Sequence, residues 1–542
     1  MKHIKTRHRV NPQIIFIITA IIFIKGTPIM AGEKKSETRP KAPYKLLYNN
    51  DTTNTAGPES PFHKKGEPFT EAKLVASIVE VAGKGVDAYM LSPGMGWVPW
   101  WQSKVEPDFY EWWKKRTGLK VVGDRDGTGY EAYVYNGGDM VQVLIDTCRK
   151  HKLAPFVSLR LNDVHMQEYY VAKNQRSLVS SRFYVEHPEW HLDPKHPETK
   201  PHGYYRKRGM DWAVARVREE KLKLLRELAE NYDLAGLELD FLRDSTFFRD
   251  NGPPTDKRIE IMTAFVAKVR KALDKKEGKR RWLCVRIPAR LTNHPELGLD
   301  VKKLHEAGVD MFNLSGWYPA IQHMDTVEVR KRVPDTAVYE EMTFCAGRAI
   351  NNPRIRICMS DQQFYTTARL AYERGAHGLS LFNFVYYRQS RNFIADHREP
   401  PFHVLPKLTD RKFLADQPPY YWAGTGRYWK QLPRTLGRKS ARTFQLAMLA
   451  DDKDARLRLR VHTKEIIGDR KLAAEINGKS LKLIADVSPF YNNPFDTMIS
   501  PNAKHRRAWE VPGSSIRNGI NNIKLILKSG KPITITWVEA GK

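Results

Sequence analysis

Between residues 44 and 390, short apolar runs alternate with longer stretches whose apolar positions recur every three or four residues. The first spacing is that of a strand and the second that of an amphipathic helix. The short runs predict strands at Tyr44–Asn50, Val86–Ser92, Ala154–Leu161, Ala235–Phe241, Leu283–Pro288, Val309–Gly316, Ala337–Thr343 and Gly378–Val385. Helices are expected between them, in EAKLVASIVEVAGKG, GDMVQVLIDTCRKHK, VREEKLKLLRELAENY, KRIEIMTAFVAKVRKAL and DQQFYTTARLAYERG, several ending on a glycine that hands over to the next strand. A strict strand–helix alternation builds a parallel sheet, and eight strands suffice to close a (β/α)8 barrel. A doubly wound open sheet is the competing architecture, disfavoured because no glycine-rich phosphate loop follows the first strand.

From about Pro418 the pattern changes to short alternating strands, RTFQLAMLA, ARLRLRVHT, LAAEING, NNIKLILK and ITITWVEA, which predict a β-sandwich. At the other end, the basic stretch MKHIKTRHRVNPQ precedes the apolar run Ile14–Ile24, which has the length of a signal-peptide core and is short for a membrane span. The expected organisation is a signal peptide over 1–31, a linker over 32–43, an α/β (β/α)8 TIM barrel over 44–417 and the sandwich over 418–542. An uncleaved anchor is the alternative reading of the first segment. Export places the protein in a periplasmic, cell-surface or extracellular setting, with no membrane span after signal cleavage.

One predicted strand breaks the apolar-in, polar-out rule most sharply. In LAGLELDFLRD, Leu234–Asp244, side chains alternate, so Leu237 and Leu239 face one way and Glu238 and Asp240 the other, with Arg243 and Asp244 just beyond. A buried charge costs several kcal/mol unless paired, so this acidic face lines either a polar network or a solvent-filled site. In a barrel, residues at the C-terminal ends of the strands form the active site, which places Asp240 at the mouth and Glu238 one layer deeper. The segment resembles the "DGI-hydrophobic-x-D-aromatic-x-R" strand of glycosyl-hydrolase-like barrel proteins of the family-10-like kind, and more distantly the DxDxE strand of chitinases, whose catalytic Glu would fall on Leu242. FVSLRLNDVHMQ, RFYVEHPEW, VRIPAR and NLSGWYP extend the resemblance over most of residues 44–390. INGKSL and the stretch Trp509–Leu527 resemble galactose-binding-like jelly rolls, which either bind sugar or buttress a barrel.

The resemblance implies a glycoside hydrolase acting on a polysaccharide or oligosaccharide. Such cleavage uses two carboxyl groups flanking the glycosidic oxygen. Asp240 is the first candidate, and strand seven offers Glu340 and Glu341, which face opposite sides, with Glu341 nearer the C-terminal end. Asp163 and Glu238 remain alternatives. Asn162, His165 and Asn383 are candidate partners for sugar hydroxyls, and Trp97, Trp317 and Tyr318 candidate stacking surfaces. Arg243, Arg286 and Arg290 either clamp a sulfate or carboxylate or neutralise the barrel acids. A carbohydrate-binding barrel without catalysis, or a surface module for anionic polymers, is the alternative function.

Composition changes this picture in one respect. Lys and Arg number 90 against 61 Asp and Glu, a formal net charge of +29. Such a field attracts polyanions, which for an exported protein means sulfated or uronic polysaccharides; a general solubility charge is the alternative reading. No nucleic-acid-binding module is recognisable. Cys148, Cys284, Cys345 and Cys358 have no metal-ligand spacing, the first strand lacks an HxH, and no GxSxG elbow appears, so no metal or cofactor is expected. Oligomeric state is not encoded in any pattern of the chain.

Overall fold

The computed structural model describes residues 43–542 apart from 53–54, 56–59, 65, 119, 123–128, 165–179, 195–207, 277, 319, 350–351, 353–354, 389–397 and 425–430. The expected signal peptide, nearly all of the linker and His165 lie outside the described residues.

Eight parallel strands close into a barrel: β1 (Leu46–Asn50), β2 (Ala88–Leu91), β3 (Ala154–Arg160), β4 (Gly236–Asp240), β5 (Trp282–Pro288), β6 (Met311–Ser315), β7 (Ala337–Thr343) and β8 (Gly378–Phe382), with β8 pairing back onto β1. Each strand is joined to the next by a crossover carrying a helix: α1 (Glu71–Val79), α2 (Met140–Lys150), α3 (Ala215–Asn231), α4 (Thr255–Asp274), α5 (Val301–Glu306), α6 (Thr326–Arg332) and α7 (Asp361–Glu373). Local sequence sets these ends. Asp139 accepts the main-chain N–H of Val141 and Gln142 at the start of α2, and Ser360 with Gln363 forms a reciprocal capping box on α7. One face of α3, including Val217, Leu224, Leu225 and Leu228, is buried against the barrel.

The inward side chains form layers. Leu47, Met90, Phe156, Cys284, Met311 and Tyr339 belong to an apolar cluster at the N-terminal end. Two residues further along the strands the inward positions turn polar or charged, with Asn49, Ser158, Glu238, Arg286, Asn313, Glu341 and Ser380, and two beyond Ser158 and Glu238 stand Arg160 and Asp240. The period of two along each strand therefore carries the barrel interior from greasy to ionic within a few residues.

Ten antiparallel strands follow, running from β9 (Tyr420–Ala423) through β10 (Arg434–Leu436), β11 (Ser440–Met448), β12 (Arg456–Thr463), β13 (Lys471–Ile476), β14 (Lys479–Ser480), β15 (Lys482–Ile484), β16 (Arg506–Pro512) and β17 (Gly519–Ser529) to β18 (Ile533–Gly541). They make two sheets, β9–β18–β12–β16–β15 with β10 also on β18, and β11–β17–β13–β14, closing over Phe444, Leu459, Val461, Ile523 and Leu525 in a sandwich-like arrangement. The sandwich is fused to the barrel. Trp537 packs on Gly347, in the hairpin after β7, so closely that a Cβ there would lie 2.3 Å from its ring. Gln322 binds both the Trp422 N–H and the Tyr420 carbonyl.

All four cysteines are buried and unbridged; Cys345 and Cys358 face each other across the hairpin after β7. Among the described residues no helix is long and apolar enough to cross a membrane.

Candidate active site at the barrel mouth

The centre of the charged layer is Arg286. Wholly buried on β5, its guanidinium spans two strands: Nε and one terminal nitrogen donate to the two oxygens of Glu341 at 2.6 and 2.7 Å, and the other terminal nitrogen donates to Asp240 at 3.1 and 3.2 Å. The register makes this inevitable, since Asp240 is paired with Arg286 across β4–β5 and Glu341 sits two strands away on the same interior face. Burial opposes the charge on Arg286, but Glu341 and Asp240 together hold its proton far more tightly than in water. Ser315 donates to Glu341, and the Leu242 N–H donates to Asp240.

Beneath them lies Glu238, which accepts hydrogen bonds from Asn49, Ser158 and Asn313 at 2.6, 2.7 and 2.9 Å. Burial raises its proton affinity to about 7, with the Arg286 charge opposing and the Asp240 charge adding to the rise.

A second ionic group crosses the other half of the mouth. Arg160, at the end of β3, pairs with Asp163 at 3.2 Å and with Asp51 at 3.5 Å. Asp51 follows β1 and also accepts from Tyr386 and Asn383 at 2.5 and 2.8 Å. Burial pushes its carboxyl up, but Arg160 and these donors hold it below the ordinary carboxylate value. Asn383 in addition donates to the Tyr318 hydroxyl at 2.7 Å.

Four non-glycine residues just beyond strand ends carry left-handed backbone: Thr52 after β1, Asp244 after β4, Trp317 after β6 and Asn383 after β8, with φ of 71, 55, 68 and 52°. For Trp317 this is a costly conformation, and its N–H is held by Ser315 Oγ at 2.8 Å. Strain of this kind gathers where a scaffold must aim side chains.

The structure sorts the sequence-predicted residues. Asp240, Glu238, Glu341, Arg286, Asp163, Tyr318 and Asn383 converge in the upper barrel, with Arg243 and Trp317 half-buried beside them. Glu340 does not join them. It points outward to the helices, accepting from Arg374 at 2.8 Å and from Thr326, as the alternation of β7 demands. Asn162 is spent on main chain, binding the Met210 N–H and the Met210 and Thr246 carbonyls, which fixes two loops and leaves no role toward a sugar. Arg286 is consumed by Asp240 and Glu341, and Arg290 pairs with Asp325 and His323, so neither presents a fork to an external anion. Trp97 is 4 % exposed; it adjoins Arg160 and Asp163 at one small cavity and lies under Lys221 Nζ, 3.9 Å from its ring. Asp51, Arg160 and Tyr386 were not singled out from the sequence, although Arg160 shares the inward parity of Ser158 and Asp51 directly follows a strand.

Among the described residues, the one set of His, Cys and acidic groups with ligand atoms close enough to share a metal is His462, Asp496 and Glu539, in the sandwich. Its carboxylates are already paired with the guanidinium groups of Arg460 and Arg506.

No protein-family profile and no curated protein matches the chain. Solved structures similar to it include a class V chitinase from Pseudomonas fluorescens Pf-5, 14 % identical over 68 % of this chain and 99 % of that one with a TM-score of 0.35. The glycoside hydrolase domain of PgaB (BpsB) from Bordetella bronchiseptica is 11 % identical over 68 % and 99 % with a TM-score of 0.41. Endo-glycoceramidase II from Rhodococcus sp. is 12 % identical over 90 % and 97 % with a TM-score of 0.35. These are glycoside hydrolases; the barrel assignment of the present chain rests on its own strand order.

Proposed function

We propose that the protein is an exported glycoside hydrolase whose reaction takes place over Asp240 at the barrel mouth. The observation that carries this reading is the convergence of Asp240, Glu341 and Arg286 with Asp51, Arg160 and Asp163 at the C-terminal strand ends, ringed by strained residues. Asp240, braced by Arg286, is the carboxyl group that faces the developing positive charge on the sugar. Glu341 fixes the guanidinium and is the second carboxylate of the pair. Glu238, with its raised proton affinity, is the deeper proton reservoir. The substrate is an anionic glycan, met at the mouth by Arg243, which lies near Asp51 and Tyr318.

The test is purified protein against a panel of neutral, sulfated and uronic polysaccharides, with products resolved by chromatography. Cleavage is expected on an anionic member. D240N and E341Q should each lower turnover at least about a hundredfold, as loss of a charge aligned with the transition state does, while E340Q keeps its rate. Undiminished turnover in D240N would remove Asp240 from the chemistry.

A second reading has its own support: Asp240, Glu341 and Arg286 are all 2 % exposed or less and fully paired, as in a charge network that only holds a barrel together. A barrel of that kind binds glycan and releases no product.

A further inference from the structure

Away from the ionic layer, the long insertion after β2 folds against α3 and encloses a cavity of about 260 Å³. Trp97, Trp101, Phe109 and Tyr110 form apolar walls, and three carboxylates, Glu106, Glu111 and Glu220, reach its lining. Among the described residues no Lys, Arg or His lines it, in a chain whose basic residues outnumber the acidic by 90 to 61. An acidic, aromatic pocket in so basic a molecule requires an explanation.

The carboxylates differ in how they are satisfied. Glu111 pairs with Lys114 at 3.1 Å and Glu220 with Lys223 at 2.7 Å, both lysines lying outside the lining. Glu106 has no salt-bridge partner among the described residues and accepts only the main-chain N–H groups of Arg182 and Phe183, at 3.1 and 2.9 Å. Burial, with the neighbouring Glu220 charge adding to it, lifts Glu106 to about 7 against the opposing pull of the two main-chain N–H groups and of the Arg182 charge. Two wall groups are unsatisfied: the indole N–H of Trp97, a residue 4 % exposed, and the Tyr110 hydroxyl are buried without a hydrogen-bond partner among the described residues. The amine of Lys221 lies over the Trp97 ring, Nζ 3.9 Å from its centre, with burial lowering its proton affinity to about 7.

We propose that this pocket is a binding site for an organic ammonium group, with Glu106 and Glu220 taking the positive charge and Trp97 and Trp101 the apolar faces around it. The chemistry suits a quaternary ammonium or the protonated amine of an amino sugar, since both combine a cation with C–H surface for an aromatic wall. The site lies outside the strand-end cluster, so it stands or falls independently of the hydrolase reading.

Calorimetric titration of the full chain with choline, glucosamine and N-acetylglucosamine tests it. Choline or glucosamine should bind and N-acetylglucosamine should not; the preference between the first two identifies the source of the ammonium. E106Q should weaken binding roughly tenfold or more. Because Glu106 also receives two main-chain N–H groups, E220Q, which leaves those bonds intact, serves as the second variant and should weaken binding several-fold. Choline affinity should rise between about pH 6 and about pH 8, because Glu106, which faces Glu220 and Arg182, gains its charge there while Lys221, over the Trp97 ring, loses its own. Failure of both ammonium probes to bind the parent, equal binding of the acetylated sugar, or indifference to both substitutions would overturn the proposal.

Discussion

A single buried guanidinium decides how the barrel acids behave. Arg286 neutralises Asp240 and Glu341, whereas Glu238, one layer down, is left to amide and hydroxyl donors and gains proton affinity from burial. The consequence for stability has a definite sign. Raised from an ordinary 4.5 to about 7, Glu238 stays protonated in the folded chain over a window in which the unfolded chain has released its proton. Its contribution is complete below about pH 4.5, declines as pH rises toward 7 and is lost above it, on the order of 3 kcal/mol in all. Urea midpoints measured across that window should therefore fall with pH in the parent and fall less in E238Q. Equal slopes would mean that Glu238 is ionised in the folded state.

At the scale of elements, the strands must be placed to within a residue for this chemistry to exist. Shifting β4 by one position would turn Glu238 and Asp240 toward the helices and bring leucines inside. The seat of β4 is Gly236, whose absent side chain admits the Phe156 ring of β3; a Cβ there would lie 2.3 Å from that ring and 2.4 Å from the Trp282 carbonyl. G236A should destabilise by roughly 1 to 3 kcal/mol, the usual cost of overpacking a tight core. It should also lower any turnover by displacing Asp240, while the control G468A, at a turn where a Cβ meets nothing, pays only for its backbone. A G236A protein with parental stability would show that β3 and β4 tolerate separation.

Across the whole molecule, the sandwich and barrel share one packed unit, and the junction carries a buried ionic cluster of its own. Glu539 accepts from Arg460, His462, Tyr420 and Trp537, and Asp496 pairs with Arg460 and Arg506. E539Q removes one of the two carboxylates facing a fully buried Arg460, and should cost about 3 to 5 kcal/mol, as breaking a buried pair does. Because Tyr420, Trp422 and Trp537 belong to the same apolar cluster as barrel side chains, that loss should lower a single unfolding transition seen by both calorimetry and tryptophan fluorescence. Two separated transitions would show that residues 418–542 fold on their own.

Some of this was legible in the chain alone. Strand–helix alternation is a local signal repeated eight times, and every one of the eight expected barrel strands has a counterpart in the structure, with ends shifted by a few residues at most. The parity of LELDF likewise places Glu238 and Asp240 on one face, because the period of a strand is a property of covalent geometry. What each inward residue meets is different. Parity alone leaves Glu340 and Glu341 exchangeable, and the closure of β8 onto β1 decides that Glu341 looks inward to Arg286 and Glu340 outward to Arg374. Arg286 reads equally well as an anion clamp until Asp240 and Glu341 are seen to consume it, and Trp97 as a mouth residue until the insertion folds it against α3. Asp51 and Arg160 form an ion pair although more than a hundred residues separate them in the chain. The sequence by itself determined the elements and their faces, which depend on neighbours a few residues away; tertiary structure alone decided the partners, since burial and Coulomb attraction act through space between residues that the chain keeps far apart.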